Sequence, residues 1–424
     1  MRADPLGFVT ALHRSYGDVS CHRTPSETVY LLGRPDLARW VLKDNGANYT
    51  KKGTPDDHML RPLLGNGLLT SSGAEWAAQR RMCAPAFRPS KVRTFDTVIT
   101  DATAAMLFRW APAIASGEPL AVDHQLTSLT LGILVQAILG VDVDGFGQGF
   151  GRAVDAVNAF IGHFTDQDSA RRADAAAGLL TFTRAKAFLD MVTDTLIAAR
   201  RGNGSGTHPH DLLGAMMSQG HGISDAELRE QVLTLIMAGH ETTAKALTWT
   251  FYLLDRHPDE QDLVVAEIDR VLGGRTPTAG DIASLPACQR VIKESMRLYP
   301  PIWLISRRAI GPDMIDGYPV APGTLVCLSQ WVLHRDERYW PDPERFQPER
   351  FAAPERIPSH AYLPFGGGER VCLGQHFAMI EAVLALVAVL QRVRLRLPAG
   401  HRVQPEALVT LRPRTGMPMS AVPR

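Results

Sequence analysis

The sequence has few cysteines, no long apolar run and almost no net charge, and each shortage removes a class of protein. Five cysteines, Cys21, Cys83, Cys288, Cys327 and Cys372, are scattered over 424 residues with no CxxC pair. That pattern argues against a disulfide framework and against a cysteine-built zinc site. The longest apolar run, Ala382 to Leu390, falls far short of the ~20 residues a spanning helix needs. Met1 to Pro5 has no stretch resembling a signal peptide or anchor, so the expectation is a cytoplasmic protein without a membrane anchor. A formal net charge of +1 supplies no field that would recruit nucleic acid.

What is present is mostly helical patterning. Residues 94 to 200 carry Ala/Leu/Val segments with helical periodicity, broken at Gly117-Glu118-Pro119 and within 145 to 151. Thr28 to Leu32 reads as a strand and Pro35 to Asp44 as a helix. Ser224, with Glu227 three residues on, predicts a capped start to a long helix ending near Arg256, before Pro258. A second β-rich stretch runs through Thr324 to Leu328, and an apolar helix is expected over Gln375 to Val393. The class is mainly α with small β-sheets, with no repeat or linker to divide residues 1–424 into more than one domain. Between Asp336 and Gly374 lies an irregular stretch too long for a simple connection, which points to a site.

That site has a centre. Phe365-Gly366-Gly367-Gly368-Glu369-Arg370-Val371-Cys372-Leu373-Gly374 puts a cysteine after three glycines and just before the apolar helix. Three glycines allow a tight turn and a close approach to a flat ligand. A helix N-terminus favours thiolate over thiol, and a thiolate is what an axial haem ligand must be. Arg370, two residues away, suits a haem propionate. A buried structural cysteine behind a glycine turn is the plainer alternative for a lone residue.

Here the fixed positions of Phe-x-x-Gly-x-Arg-x-Cys-x-Gly are all filled, and the segment resembles the haem-binding signature of the cytochromes P450. The resemblance spans essentially the whole chain. It implies a triangular helical prism with haem b between the long central helix and the cysteine-loop helix, Cys372 as axial thiolate, and Phe365, Arg370 and Gly374 against the cofactor.

Three further motifs follow in the expected order. Ala238-Gly239-His240-Glu241-Thr242-Thr243 lies mid-helix, where glycine and hydroxyl residues weaken the ladder and can open a groove. A solvated polar patch is the plain reading, and a zinc helix fails because Ala244 stands where the second histidine belongs. The segment is similar to the family's oxygen-activation motif, which implies Thr242 as hydrogen-bond donor to dioxygen and Glu241 as proton relay. Glu294-Ser295-Met296-Arg297 is by itself an ordinary i, i+3 salt bridge. It resembles the family's Glu-x-x-Arg, a buried structural network completed by an arginine of a Pro-Glu-Arg-Phe element. That element occurs twice, at Pro343 to Phe346 and Pro348 to Phe351, and spacing favours Arg350 with Arg345 as fallback. Trp76 and Arg80 share a helix face, and the resemblance makes both of them donors to haem propionates, with Arg307 as a third and Arg308 as its alternative.

By the same resemblance, Leu69, Met237, Ala238, Ile302, Leu304 and Val409 line an apolar pocket for a lipophilic substrate, and 145 to 205 forms a lid. The implied activity is insertion of one atom of O2 into that substrate by hydroxylation or epoxidation. Tailoring of a terpenoid or polyketide is the guess for its class. The N-terminus starts almost at the first helix. No flavin or iron–sulfur module follows Cys372, so electrons are expected from a separate ferredoxin and its reductase. Arg81, Arg88, Lys91 and Arg93 are either their docking face or an ordinary solvated one. A monomer is expected. Two other readings stay open: a peroxide-using haem-thiolate enzyme or isomerase, and a haem-binding protein without turnover.

Overall fold

Ser224 begins the element that organises the protein. In the computed structural model, which describes residues 4–24, 27–140, 149–164, 174–202, 211–219 and 223–424, its hydroxyl accepts the Glu227 N–H at 3.2 Å. The Glu227 carboxylate accepts the Ser224 N–H in return at 2.9 Å, closing a capping box. The helix Asp225–Arg256 then runs unbroken for 32 residues and stops at His257, before Pro258. Leu228, Val232, Ile236, Leu247, Trp249 and Leu254 bury its apolar side in the largest core cluster.

The helical assignment is continuous through the mid-helix glycine that was expected to weaken it. Gly239 instead makes room for a neighbour: a Cβ there would lie 2.6 Å from Leu134 of the helix Val122–Leu139. The same helix donates the Thr130 hydroxyl to the His240 carbonyl at 2.8 Å. Among the described residues, Val122–Leu139 is the one helix long and apolar enough to cross a membrane, a feature that counting uninterrupted apolar runs does not detect. Its window is 67% buried inside the protein, as in a core helix.

The final helix, Gln375–Leu390, packs against the central helix and ends three residues earlier than its apolar pattern predicts. Val393 has already entered a strand, Val393–Arg396, of a three-stranded sheet completed by Pro418–Pro423 and Leu120–Ala121. The largest sheet is mixed, in the order Val19–Arg23, Thr28–Leu32, Leu325–Leu328, Ile305–Ala309, Tyr49–Thr50. Thr28–Leu32 runs parallel to Leu325–Leu328, and Ile305–Ala309 pairs antiparallel with it so that Arg307 opposes Val326. Helices around one main core, with small sheets at its margin, match the class expected from the pattern.

The helix at Pro35–Arg39 loosens into a π-helical turn over Trp40–Asp44, where the Asn45 N–H reaches the Trp40 carbonyl at 2.8 Å. Such wide turns often mark functional sites. Here the cysteine loop rests on it.

Candidate active site

Gly368 has a positive φ of 67°, and any Cβ there would overlap the Leu42 carbonyl oxygen of that wide turn. Glycine is therefore required at this position by contact with protein backbone. The loop closes on itself through the Cys372 N–H, which donates to the Phe365 carbonyl at 2.9 Å. Gly374 caps the helix Gln375–Leu390, which places Cys372 two residues before the cap. Phe365 and Leu373 pack on the main core.

The Cys372 side chain is exposed, yet protein surrounds it closely enough that desolvation pushes the thiol up. The two observations agree if the sulfur opens on a cleft inside the protein rather than on its outer surface. A hydrogen bond from the Gly374 backbone and the nearby Arg80 charge oppose the shift but do not overcome it. Desolvation thus favours the neutral thiol over the pull of the Gly374 N–H and Arg80. A cation in the cleft would favour the thiolate.

Around this cleft stand more positive charges than partners. Arg370 lies over the Trp76 ring at 4.5 Å, and Arg80 over the same ring at 5.8 Å. Both come from local design: Trp76 and Arg80 sit one turn apart on the helix Gly73–Cys83, and Arg370 belongs to the cysteine loop. Arg370 donates to the Ser71 carbonyl at 2.7 Å. Arg307 is buried and reaches only the carbonyl of its neighbour Ser306, at 2.8 Å. Among the described residues, none of Arg80, Arg307 and Arg370 has a carboxylate partner. Desolvation pulls all three down, and Arg307 and Arg370, which also repel each other, fall to about 10.

Lys51 joins them, although no motif in the sequence pointed to it. Its side chain keeps some water contact, but crowding and the Arg307 charge lower it to about 8. Arg308, the alternative to Arg307, is already committed to the Gly53 and Gly323 carbonyls and to Glu27 at 2.8 Å. This arrangement fits a dianionic ligand, such as a haem with two propionates. A polar cavity of about 540 Å³ between Glu27, His58 and Arg308 lies apart from it and touches none of Cys372, Arg80, Arg307 and Arg370.

On the central helix, the Thr242 hydroxyl donates back to the Ala238 carbonyl at 3.0 Å, and Glu241 accepts the Thr410 hydroxyl at 2.9 Å. His240 is fully buried and satisfied, with Nδ1 at 2.7 Å from the Ile236 carbonyl and Nε2 at 3.3 Å from Asn158. Burial lowers its affinity for a second proton. Glu381 of the cysteine-loop helix is buried, and desolvation raises its carboxyl to about 8 against the opposing influence of Thr243, whose hydroxyl donates to the Gly239 carbonyl at 3.3 Å. Thr410 and Glu381 carried no sequence signal beyond their own residue type.

The proposed pocket residues are only partly gathered. Leu69, Met237 and Val409 pack around the main core, while Leu304 joins a separate cluster under the large sheet. Ala238 is exposed and Ile302 half-buried, and neither belongs to these clusters. Of the expected lid, 145–148, 165–173 and 203–205 lie outside the described residues. Helices Gly149–Phe164 and Asp174–Gly202 occupy much of the rest.

Glu294 and Arg297 form a two-pronged pair with no water contact, at 2.7 and 2.8 Å. Arg350 completes it, with Nε at 3.3 Å from Glu294, whereas Arg345 contributes only its carbonyl to Arg297, at 3.1 Å.

Comparison with known proteins agrees with this arrangement. The family described as Cytochrome P450 matches residues 2–417. Cyclooctatin synthase of Streptomyces melanosporofaciens is 34% identical, with 100% of this chain and 92% of that protein covered. Pentalenene oxygenase of Streptomyces avermitilis is 31% identical, covering 97% and 91% respectively. The crystal structure of the cytochrome P450DA heme domain superposes with a TM-score of 0.90 at 27% identity, covering 99% of this chain and 93% of that one.

Proposed function

The chain belongs to the cytochrome P450 family, oxidoreductases that use haem b with a cysteine thiolate as axial ligand, and from that premise we propose a monooxygenase that tailors a terpenoid-like natural product. The observation that carries the reading is that Arg80, next to Cys372, Arg370 of the cysteine loop and Arg307 have no carboxylate partner among the described residues. When bound, the haem supplies the redox chemistry by which O2, two electrons and two protons yield one oxygen atom in the substrate and one water.

The chain's own residues do the rest. Cys372 holds the iron through its sulfur. Arg80, Arg307 and Arg370 bind the propionates, and Trp76 fixes two of those guanidiniums by stacking. The buried network of Glu294, Arg297 and Arg350 keeps the irregular segment folded beneath the cysteine loop. Leu69, Met237, Ala238, Ile302, Leu304 and Val409 hold a lipophilic substrate by shape and exclude water. Glu241 moves a proton from its carboxyl oxygens and Thr242 offers one from its hydroxyl. Their presence favours O2 over peroxide as oxidant.

The terpenoid assignment rests on Streptomyces relatives named for cyclooctatin and pentalenene. Electrons come from a separate ferredoxin and reductase, docking near Arg81, Arg88 and Arg93, which are exposed, and Lys91. The test is turnover of a panel of cyclic terpenes, polyketides and fatty acids with a ferredoxin system and O2. Oxygenated terpenes are expected. Turnover with peroxide alone, and none with O2 and electrons, would overturn the monooxygenase reading.

A further inference from the structure

Neither member of the acid–alcohol pair is free to act as it stands. Thr242 donates its only hydroxyl proton to the Ala238 carbonyl, one turn back on its own helix. Glu241 is held from outside the helix by Thr410, 169 positions further along the chain. Thr410 sits in the turn between strands Pro405–Ala407 and Leu411–Pro413, and it is buried.

That turn is unusually well tied down. The Leu408 N–H donates to the Thr410 carbonyl at 3.2 Å, and the Leu411 N–H to the Pro301 carbonyl at 2.9 Å. Trp303 donates its indole N–H to the Leu408 carbonyl at 2.8 Å. Trp249, two turns beyond Glu241 on the central helix, donates to the Leu411 carbonyl at 3.0 Å. Trp249 is itself stacked on Tyr299 at 4.0 Å. The hydroxyl of Thr410 is therefore a donor fixed relative to the helix, while the glutamate it holds has three rotatable bonds.

The charges facing Glu241 do not provide an equal hold. Lys245, one turn on, is buried, and its ammonium reaches the Thr127 hydroxyl at 3.5 Å rather than the carboxylate. Asp155, from the helix Gly149–Phe164, repels Glu241. Among the described residues, the Thr410 bond is the one short contact that decides where the carboxylate rests.

We propose that Thr410 is the positioning residue of the proton relay: its hydroxyl parks Glu241 against the pocket hairpin, and delivery starts only when the carboxylate leaves that bond. This rests on the monooxygenase reading. A hydrogen bond to a charged acceptor is strong enough to bias the parked population by about tenfold. Val409, adjacent to Thr410 and assigned to the pocket, places substrate against the same turn, so substrate contact and release of the acid share one element.

The experiment compares the haem-loaded wild type with T410V, which keeps the shape and removes the donor, and T410S, which restores it. The Glu241 carboxylate band, isolated as the infrared difference against E241Q, is expected to shift in T410V and to return in T410S. With the ferredoxin system but no substrate, T410V is expected to consume electrons about tenfold faster. Each O2 then takes two electrons and two protons and leaves as hydrogen peroxide. A thiolate-type carbon monoxide spectrum, with an unshifted band or an unchanged peroxide leak in T410V, overturns the role of Thr410 while leaving the monooxygenase reading intact. Loss of the thiolate spectrum in the wild type overturns that reading instead.

Discussion

Arg297 and Arg307 are both arginines hidden from water, at 0% and 8% exposure, and their surroundings are opposite. Arg297 fills its fork with Glu294 and reaches the carbonyls of His334, Pro343 and Arg345, at 2.7 to 3.1 Å. Arg307 hydrogen-bonds only the carbonyl of its own neighbour, with Arg370 repelling it and Asp56 attracting it without forming an ion pair. A buried charge with every donor used belongs to the fold. A buried charge left without an anion belongs to a ligand, because burial without compensation is costly unless something arrives to neutralise it.

The contrast is sharpest under mutation. Glu294→Gln or Arg297→Ala leaves an unpaired buried partner, with an expected cost of about 3–5 kcal/mol. Thermal unfolding is expected to move down equally in the apo and haem-loaded forms. Arg307→Met is expected to go the other way in the apoprotein, which loses a repelled cation and melts no lower. Its haem affinity should fall by about tenfold or more, the loss of one charge-assisted bond, as read by haem transfer to an acceptor protein. Apoprotein destabilised as much by Arg307→Met as by Arg297→Ala would break the comparison.

Thr242→Ala should leave haem affinity unchanged and lower the fraction of electrons reaching product several-fold, measured as product per electron pair. Unchanged coupling would remove Thr242 from the relay. The smallest effect is a pH dependence. Lys51 is lowered to about 8 when folded and keeps its ordinary higher value when unfolded. Its destabilising charge is thus fully present below about pH 8 and is relieved as pH rises from there toward its unfolded value. The apoprotein Tm is expected to gain a contribution over that window that is absent in Lys51→Met and weaker once haem neutralises the cluster.

Features carried by neighbours in sequence are legible in the residues themselves. The capping box at Ser224 and Glu227, the stop before Pro258, the cysteine loop and the Glu294–Arg297 pair all follow from spacings of a few residues. What escapes such a reading depends on contacts between distant segments. Of the two Pro-Glu-Arg-Phe elements, spacing already favoured Arg350, which the fold brings to Glu294, but the Pro343 and Arg345 carbonyls that help fill the Arg297 fork had no local signature. Gly239 and Gly368 each admit a neighbouring segment, at Leu134 and Leu42, which no local spacing announces. Lys51 and Thr410 have no local signature, since one is lowered by desolvation and by Arg307 and the other meets Glu241 only across the hairpin. Desolvation around Cys372, which pushes its thiol up against the Gly374 N–H and the Arg80 charge, likewise depends on distant segments.

The assignment of Cys372 as the iron ligand is tested most directly by the spectrum of the reduced carbon monoxide complex in wild type and Cys372→Ser. A thiolate-type band in the wild type, lost in the variant while the protein stays folded, is the expected result. An imidazole-type band in folded wild-type protein, or a thiolate-type band that survives in Cys372→Ser, would contradict it.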